Sequence, residues 1–577
     1  MRTTYPEAYF NFIDVTALED SYTATASAKT FANTALLKEN TRIKQAPYGT
    51  MELNQFVLDG SREIFPAEQP EDVPFWSDEK SNEAGAYAKN PTLEITFTRP
   101  HSSIGLTLHF AEDIPGEVMI TWYTLYGSKL MAAVFYPDSM DYFCKCQVQN
   151  YGRISVEFVK SGLPYRYARL DYIEYGQQWQ LGRDNIKAAS VYEEIDPTSA
   201  TLSINTANIE LVDSAGEFDL SNQEGLWRSL QKEQGIAFRE YVDGTPFDCG
   251  SFYLDTWESQ TNMIKLSFID TIGLMDKTNF YGGRVYQEER AGNIIEAIMA
   301  SCGIKKYTVD EEVAEMELSG WLAIQSHRAA LQQVVFACGA VADCSRGDHI
   351  RIYRPDRYVS RTIGLNRRFQ GAKLTMDDYI SSVSVAYQRY TPTGEGKEIS
   401  KSTLSLGQTR IEFNAPYQPE SLSVSAGTIL EAETNYIVVE METEKECVIS
   451  GRPYEVTENT HTASVKVIEA GETAQVQEYT GCTLMDAQKA REAAERLLDY
   501  LQLRQEIELR YINDGEAVGQ WCEIMTKNGG YTTGILNQTM DLTGGNLATA
   551  KCRGYSRKTT ADYFAGAEIY AGEEGII

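Results

Sequence analysis

Histidines, cysteines and paired carboxylates are the side chains on which acid–base, metal or nucleophilic chemistry would run, and their spacing here offers little. The five histidines are His101, His109, His327, His349 and His461. No two stand three or four residues apart as ligands on one helix face, so each reads as a hydrogen-bonded structural residue. Most of the ten cysteines sit singly in apolar runs and read as small buried hydrophobes. Cys144 and Cys146 form CKC on an apparent strand, where residues i and i+2 share a face. A metal there would need two further ligands, because no CxxC partner exists. Cys338 and Cys344 bracket GAVAD as the other pair within reach of zinc or a disulfide. TGEGKE (393–398) imitates a phosphate loop, but Thr391 stands where its first glycine belongs and Glu398 replaces the hydroxyl residue that holds magnesium. GxSxG, HExxH, GxGxxG and the deaminase HxE with PCxxC are absent. Among 82 acidic residues a glycosidase pair has no spacing that singles it out. The expectation is no enzyme and no cofactor or metal, with a carbohydrate-active enzyme kept as the second alternative.

Aromatic residues suggest binding rather than turnover. Trp76, Tyr87, Trp122, Tyr123 and Tyr126 lie in or beside one β-rich stretch. Sugar rings stack their C–H faces on exposed aromatics, so Trp76, Tyr87, Trp122 and Tyr123 are candidate glycan contacts; ordinary core packing is the competing reading. Trp76, in the Pro-flanked run VPFWSDEKSNEAGAY, is expected to be the exposed one, and either Trp122 or Tyr123 should face outward.

Composition bounds the rest. A chain of 577 residues is too long for one core and implies about three to five domains. Lys and Arg number 52 against 82 Asp and Glu, a net charge of -30, which argues against specific nucleic-acid binding. No run approaches the roughly 20 apolar residues of a membrane span. The start, MRTTYPEAYFNFIDV, has no apolar h-region, so a secretory signal is not expected and synthesis in a cytoplasm is.

The elements that must position any site are mostly strands. Residues 1–30 read as an irregular arm that orders on a neighbour. LEITFT (93–98), GLTLHF (105–110), VMITWY (118–123), MAAVFY (131–136) and ISVEFV (154–159) read as an antiparallel sandwich over 31–176. Residues 177–283 are again strand-like. Two helical stripes follow at 291–303 and 326–339, capped by Asn293 and Ser326 and stopped by Gly303 and Gly339, and make a small α+β domain over 284–365. Strands return over 366–480. LMDAQKAREAAERLLDYL (484–501) is a helix, with Thr483 as its cap and Glu492–Arg496 as an i,i+4 pair on the exposed face. It opens a C-terminal segment, 481–577, that ends in strands.

NTANIELVDSAGEFD (205–219), GLWRSLQKEQGIAFREYVDG (225–244), GSFYLDTWE (250–258) and KLSFIDTIGLMD (265–276) resemble, in order, the hub proteins of phage tails and contractile injection systems. AGNIIEAIMASCGI with SHRAALQQVVFACGAVADCSRGDHIRIYRP is similar to that family's small α+β segment, and DLTGGNLATAKCRGY (541–555) to its terminal strands. The resemblance covers about 165–560. ELNQFVLDGS (52–61), ITFTRPHSSIGLTLHF (95–110) and LPYRYARLDYIEYG (163–176) resemble a discoidin-type jelly roll inserted ahead of it.

The resemblance implies a mainly β, multi-domain chain with a smaller α+β part: β-barrel hub domains at 177–283 and 366–480, closed by 481–577, plus a β-sandwich (jelly-roll) module. It further implies a homotrimer at the virion tail tip, with two similar β-domains per subunit in a pseudo-sixfold ring. The partners would be a distal tail or tail-tube protein, the tape-measure protein and receptor-binding or fibre proteins. The ring would line the DNA exit channel, where an acidic lumen repels phosphates during ejection. Family hubs often extend into a peptidase, lysozyme or fibre, and cell-wall cleavage is not expected of this shorter chain. The alternative is a carbohydrate-binding host-adsorption protein that uses 31–176 on a host cell-surface glycan.

Overall fold

The computed structural model describes residues 3–38, 48–50, 52–53, 63–64, 73–111, 113–223, 225–526 and 529–557. The chain is mainly β, arranged in several sheets with short helices between them. The largest sheet has thirteen strands. It runs Gly176–Leu181, Thr4–Ile13, Gly235–Val242, Thr245–Gln260, Met263–Ile269, Thr206–Val212, Ile186–Glu194, Gly529–Asp541, Leu547–Arg557, Gln505–Ile512 and Lys373–Met376. Trp521–Thr526 also pairs with Gly529–Asp541, and Val359–Ile363 lies parallel to Trp521–Thr526.

No sheet among the described residues closes into a barrel, so the two expected hub barrels are instead halves of one open sheet. They meet where Ile186–Glu194 pairs antiparallel with Gly529–Asp541, in the register Ser190↔Asp541 to Glu194↔Asn537. The half expected from 366–480 comes mostly from strands after residue 500, since that stretch gives the sheet only Lys373–Met376. Its remaining strands build a long ribbon, Ser382–Pro392 with Tyr454–Ser464, and two three-stranded sheets around a separate core of Phe413, Ile437, Val439 and Ile449. TGEGKE lies in the turn leading into the strand Lys397–Leu404, where a phosphate loop would need a helix.

The N-terminal arm departs most from expectation. Thr4–Ile13 is an interior strand, flanked by Gly176–Leu181 and Gly235–Val242. Its alternation puts Ala8, Phe10 and Phe12 into the main core, where Phe10 meets Phe268 edge-on at 6.1 Å.

A buried polar group pins the joint between the halves. Glu193 is wholly buried, with Oε1 2.8 Å from Arg346 Nε. Its Oε2 accepts from Gln538 Nε2 at 2.9 Å. The Gln538 Oε1 accepts the Tyr511 hydroxyl at 2.9 Å, and Arg346 donates to the Glu516 carbonyl at 2.8 Å. The Glu516 carboxylate in turn lies 2.6 Å from Arg367.

The helices Ala291–Ser301, His327–Cys338 and Ala487–Leu501 share a second core, with Ile294, Ile298, Leu331, Val335 and Leu497 among its members. Ser326 caps the second helix, its hydroxyl accepting from the Ala329 N–H, and Gly339 ends it at φ +64°. The other two begin elsewhere than expected. Arg290 precedes the first, and the Asn293 amide donates to Glu289 instead of capping. Asp486, not Thr483, caps the third, accepting from the Lys489 N–H. Glu492 pairs with Lys489, while Arg496 turns inward.

Phe10→Ala should cost about 3–5 kcal/mol in urea unfolding, as a large core truncation does. Tyr22→Ala, at an exposed position of the same arm, should change it by less than about 0.5 kcal/mol. Equal, small effects would show that the arm is peripheral.

Candidate interaction surface

Six strands between residues 75 and 174, joined by one from the N-terminal arm, form a second, all-antiparallel sheet of seven strands. Its order is Phe75–Lys80, Tyr167–Glu174, Thr92–Phe110, Asp141–Ser161, Pro115–Tyr123 and Lys129–Phe135, with Tyr22–Ala24 on Thr92–Phe110. LEITFT and GLTLHF are two ends of one long strand whose register slips at His101, Ser103 and Gly105. Slips of this kind bend a strand and accommodate a proline such as Pro100. The opening-loop segment ELNQFVLDGS falls largely outside the described residues.

Three of the four candidate glycan contacts are interior. Trp122 is 0 % exposed at the centre of the core, beside Leu93, Ile120 and Ile154. Trp76, expected to be presented on a loop, is 3 % exposed in a strand. It packs edge-on against Phe31 at 5.6 Å and Tyr167 at 6.0 Å, and the Arg169 guanidinium lies 3.9 Å from its ring. Arg169 is itself ion-paired to the buried Glu52. Tyr87 is 8 % exposed. Tyr123 is half-buried on the opposite face from Trp122, under the Arg153 guanidinium at 4.0 Å. These four do not form one platform.

The exposed apolar surface lies one strand further out. Tyr126, at the turn after Pro115–Tyr123, is 96 % exposed, and Tyr136 is 65 % exposed. Between them Leu130, Met131 and Val134 project from Lys129–Phe135, the edge strand of the sheet. Natural edges are blunted by charge, proline or bulges, and this one carries only Lys129 and a register slip at Leu130 at its start, leaving Met131–Phe135 regular. It is suited to receive another strand or an apolar surface. The signal was present in MAAVFY, which is apolar at successive positions where a solvated strand alternates.

Two histidine clamps brace the sheet. His101 Nδ1 stands 3.1 Å from Asp14 and its Nε2 2.9 Å from Asp20, so both ring nitrogens face carboxylates, as an imidazolium requires. Burial opposes that charge, but the hydrogen bonds to Asp14 and Asp20 outweigh it and raise the pKa. Against burial, the His101 bond lowers Asp14, and hydrogen bonds from Thr98 and then His101 hold Asp20 at about 2. His109 is held likewise, by Asp141 at 2.7 Å and Glu174 at 3.4 Å. All ten cysteines are free thiols, and burial pushes that of Cys144 up to about 12. Among the described residues no three His, Cys, Asp or Glu side chains group as a metal site, and no helix is long and apolar enough to cross a membrane.

No family model matches the chain, and no curated protein matches it. Three of the similar solved structures are tail proteins. One from Neisseria meningitidis shares 8 % identity at a TM-score of 0.40, covering 65 % of this chain and 93 % of that one. A prophage tail protein from Shewanella oneidensis shares 11 % at 0.39, covering 65 % and 95 %. A prophage tail protein from Listeria monocytogenes shares 8 % at 0.37, covering 66 % and 92 %.

Two outcomes are expected. A histidine whose folded pKa is raised stabilises fully below its unfolded value of about 6.5, and that contribution fades as pH climbs through the folded value. His101→Gln should therefore lose more stability relative to wild type near pH 6 than near pH 9, in paired urea titrations. Met131→Lys with Val134→Lys should change stability by less than about 0.5 kcal/mol while lowering the fluorescence of a bound hydrophobic dye.

Proposed function

We propose that this chain is a structural subunit of a bacteriophage tail tip or baseplate hub, resident in the virion. Three copies close a ring that joins the tail tube to tip and receptor-binding proteins and lines the DNA exit channel. The observation that carries this reading is the pairing of Ile186–Glu194 with Gly529–Asp541, which sets two β-units side by side in one subunit. Three such subunits present six units, the number needed to match a sixfold tube to threefold tip proteins. The residue blocks that resemble hub proteins occupy neighbouring strands of the same sheet and the helices beside it. In this reading the seven-stranded, discoidin-like module faces outward and offers its edge strand to a neighbouring tail protein. The glycan-binding alternative is left with Tyr123, Tyr126 and Tyr136, since Trp76, Tyr87 and Trp122 are spent on packing.

Sedimentation of the purified protein should give a species near three times 64.7 kDa, and electron microscopy should show it with a central hole. A chain that stays monomeric at every concentration, and also when mixed with its tail-tube protein, would overturn the ring.

A further inference from the structure

A cavity of 240 Å³ opens where the helix Ala487–Leu501 meets the loop after Ile350–Tyr353 and the strands Trp521–Thr526 and Gly529–Asp541. It is lined by four arginines, Arg354, Arg357, Arg496 and Arg553, against two carboxylates, Asp356 and Asp499. That is a local excess of cations in a chain whose net charge is -30.

Three of the four arginines have carboxylate partners. Arg354 pairs with Glu312, Arg357 lies 2.6 Å from Asp499, and Arg553 lies 2.8 Å from Asp377. Arg496 has none among the described residues. Its guanidinium reaches only the carbonyls of Pro197 and Thr198, each at 3.4 Å, and of Phe336 at 3.5 Å. These are long for bonds from a cation, whose charge-assisted contacts run nearer 2.7–2.9 Å. Burial, and then the neighbouring Arg354, push its pKa down to about 10 against the opposing pull of Tyr479 and Asp196.

The apolar wall of the cavity is built by Ile195, Tyr500, Trp521, Ile535 and Leu536, with Arg553 5.4 Å from the Tyr500 ring and Arg357 5.9 Å from that of Trp521. Two glycines keep the space open. A Cβ on Gly339 would lie 2.8 Å from Arg496 Nε, and one on Gly534 would lie 3.1 Å from Trp521 Nε1.

We propose that this cavity binds the carboxylate of an acidic side chain, flanked by apolar residues, on an extended segment of a partner polypeptide. A guanidinium fork facing a carboxylate matches it in plane and in charge. The apolar wall suits the flanking residues and disfavours a strongly hydrated phosphate. The volume lies below the roughly 300–1,000 Å³ of a small-molecule pocket, so it holds one side chain while the rest of the segment stays at the mouth. The proposal stands whether or not the subunit forms a ring.

The test is calorimetric titration of the full chain with the capped tripeptide acetyl-Leu-Glu-Phe-amide and with its Gln counterpart. The Glu peptide should bind saturably with a Kd of about 0.1–1 mM, and the Gln peptide at least roughly tenfold more weakly, the loss expected when a charged partner is neutralised. Arg496→Met, which keeps the packing stem, should abolish the difference, while Arg491→Met on the exposed face of the same helix should not. If Arg496→Met does not fold, Arg354→Gln at the exposed rim should still weaken the Glu peptide. Equal binding of the two peptides, or no heat up to roughly 5 mM peptide, overturns the proposal. Inorganic phosphate displacing the peptide at equal concentration also overturns it, by showing a general anion site.

Discussion

A carboxylate with no access to water is the constraint on which this architecture turns. Glu193 is sealed in the joint of the main sheet, and its charge is tolerable only because Arg346 and Gln538 reach it from two other parts of the chain. Removing one partner from such a pair typically costs about 3–5 kcal/mol, although an apolar replacement of the whole group can be neutral. The group therefore contributes less to raw stability than to selection among arrangements. A one-residue slip between Ile186–Glu194 and Gly529–Asp541 would turn Glu193 to the other face and strand Arg346. The α+β part supplies Arg346, so its position is tied to the same register.

The sequence was readable where local rules decide the outcome. Ser326 and Gly339 bound their helix as caps do, because a side-chain acceptor and a left-handed residue act within one turn of their own backbone. It was less readable where partners are distant. Trp76 reads as a loop residue until Arg169 and Tyr167, from a strand some ninety residues on, close over it. Glu492 and Arg496 have the spacing of a surface pair, yet Glu492 turns to Lys489 and the arginine lies inward, near the carbonyls of Pro197 and Phe336. The arm was misread for a different reason. Ala8, Phe10 and Phe12 alternate visibly, but neither strand partner is nearby in sequence.

The two halves of the site question differ in the same way. That no enzyme motif is present follows from residue types and spacing alone. Which aromatics face solvent depends on which strand ends the sheet, a property of the whole fold. Lys129–Phe135 is an edge strand only because nothing else in the described chain pairs with it, and its sequence would suit an interior strand equally well.

The joint also sets a timetable for synthesis. Glu193 and Gln538 are separated by 345 residues. At a ribosomal rate of about 5–20 residues per second, the earlier strand waits roughly 20–70 s for its neighbour. Throughout that interval Ile186–Glu194 has an unmatched hydrogen-bonding edge, and its carboxylate lacks Gln538 and, until residue 346 is made, Arg346 as well. The seven-stranded module, whose pairings lie almost entirely between residues 75 and 174, can complete itself long before. The nascent chain thus carries a finished module beside an unfinished sheet, and capture of that waiting edge by another nascent chain is the misfolding route that this topology leaves open.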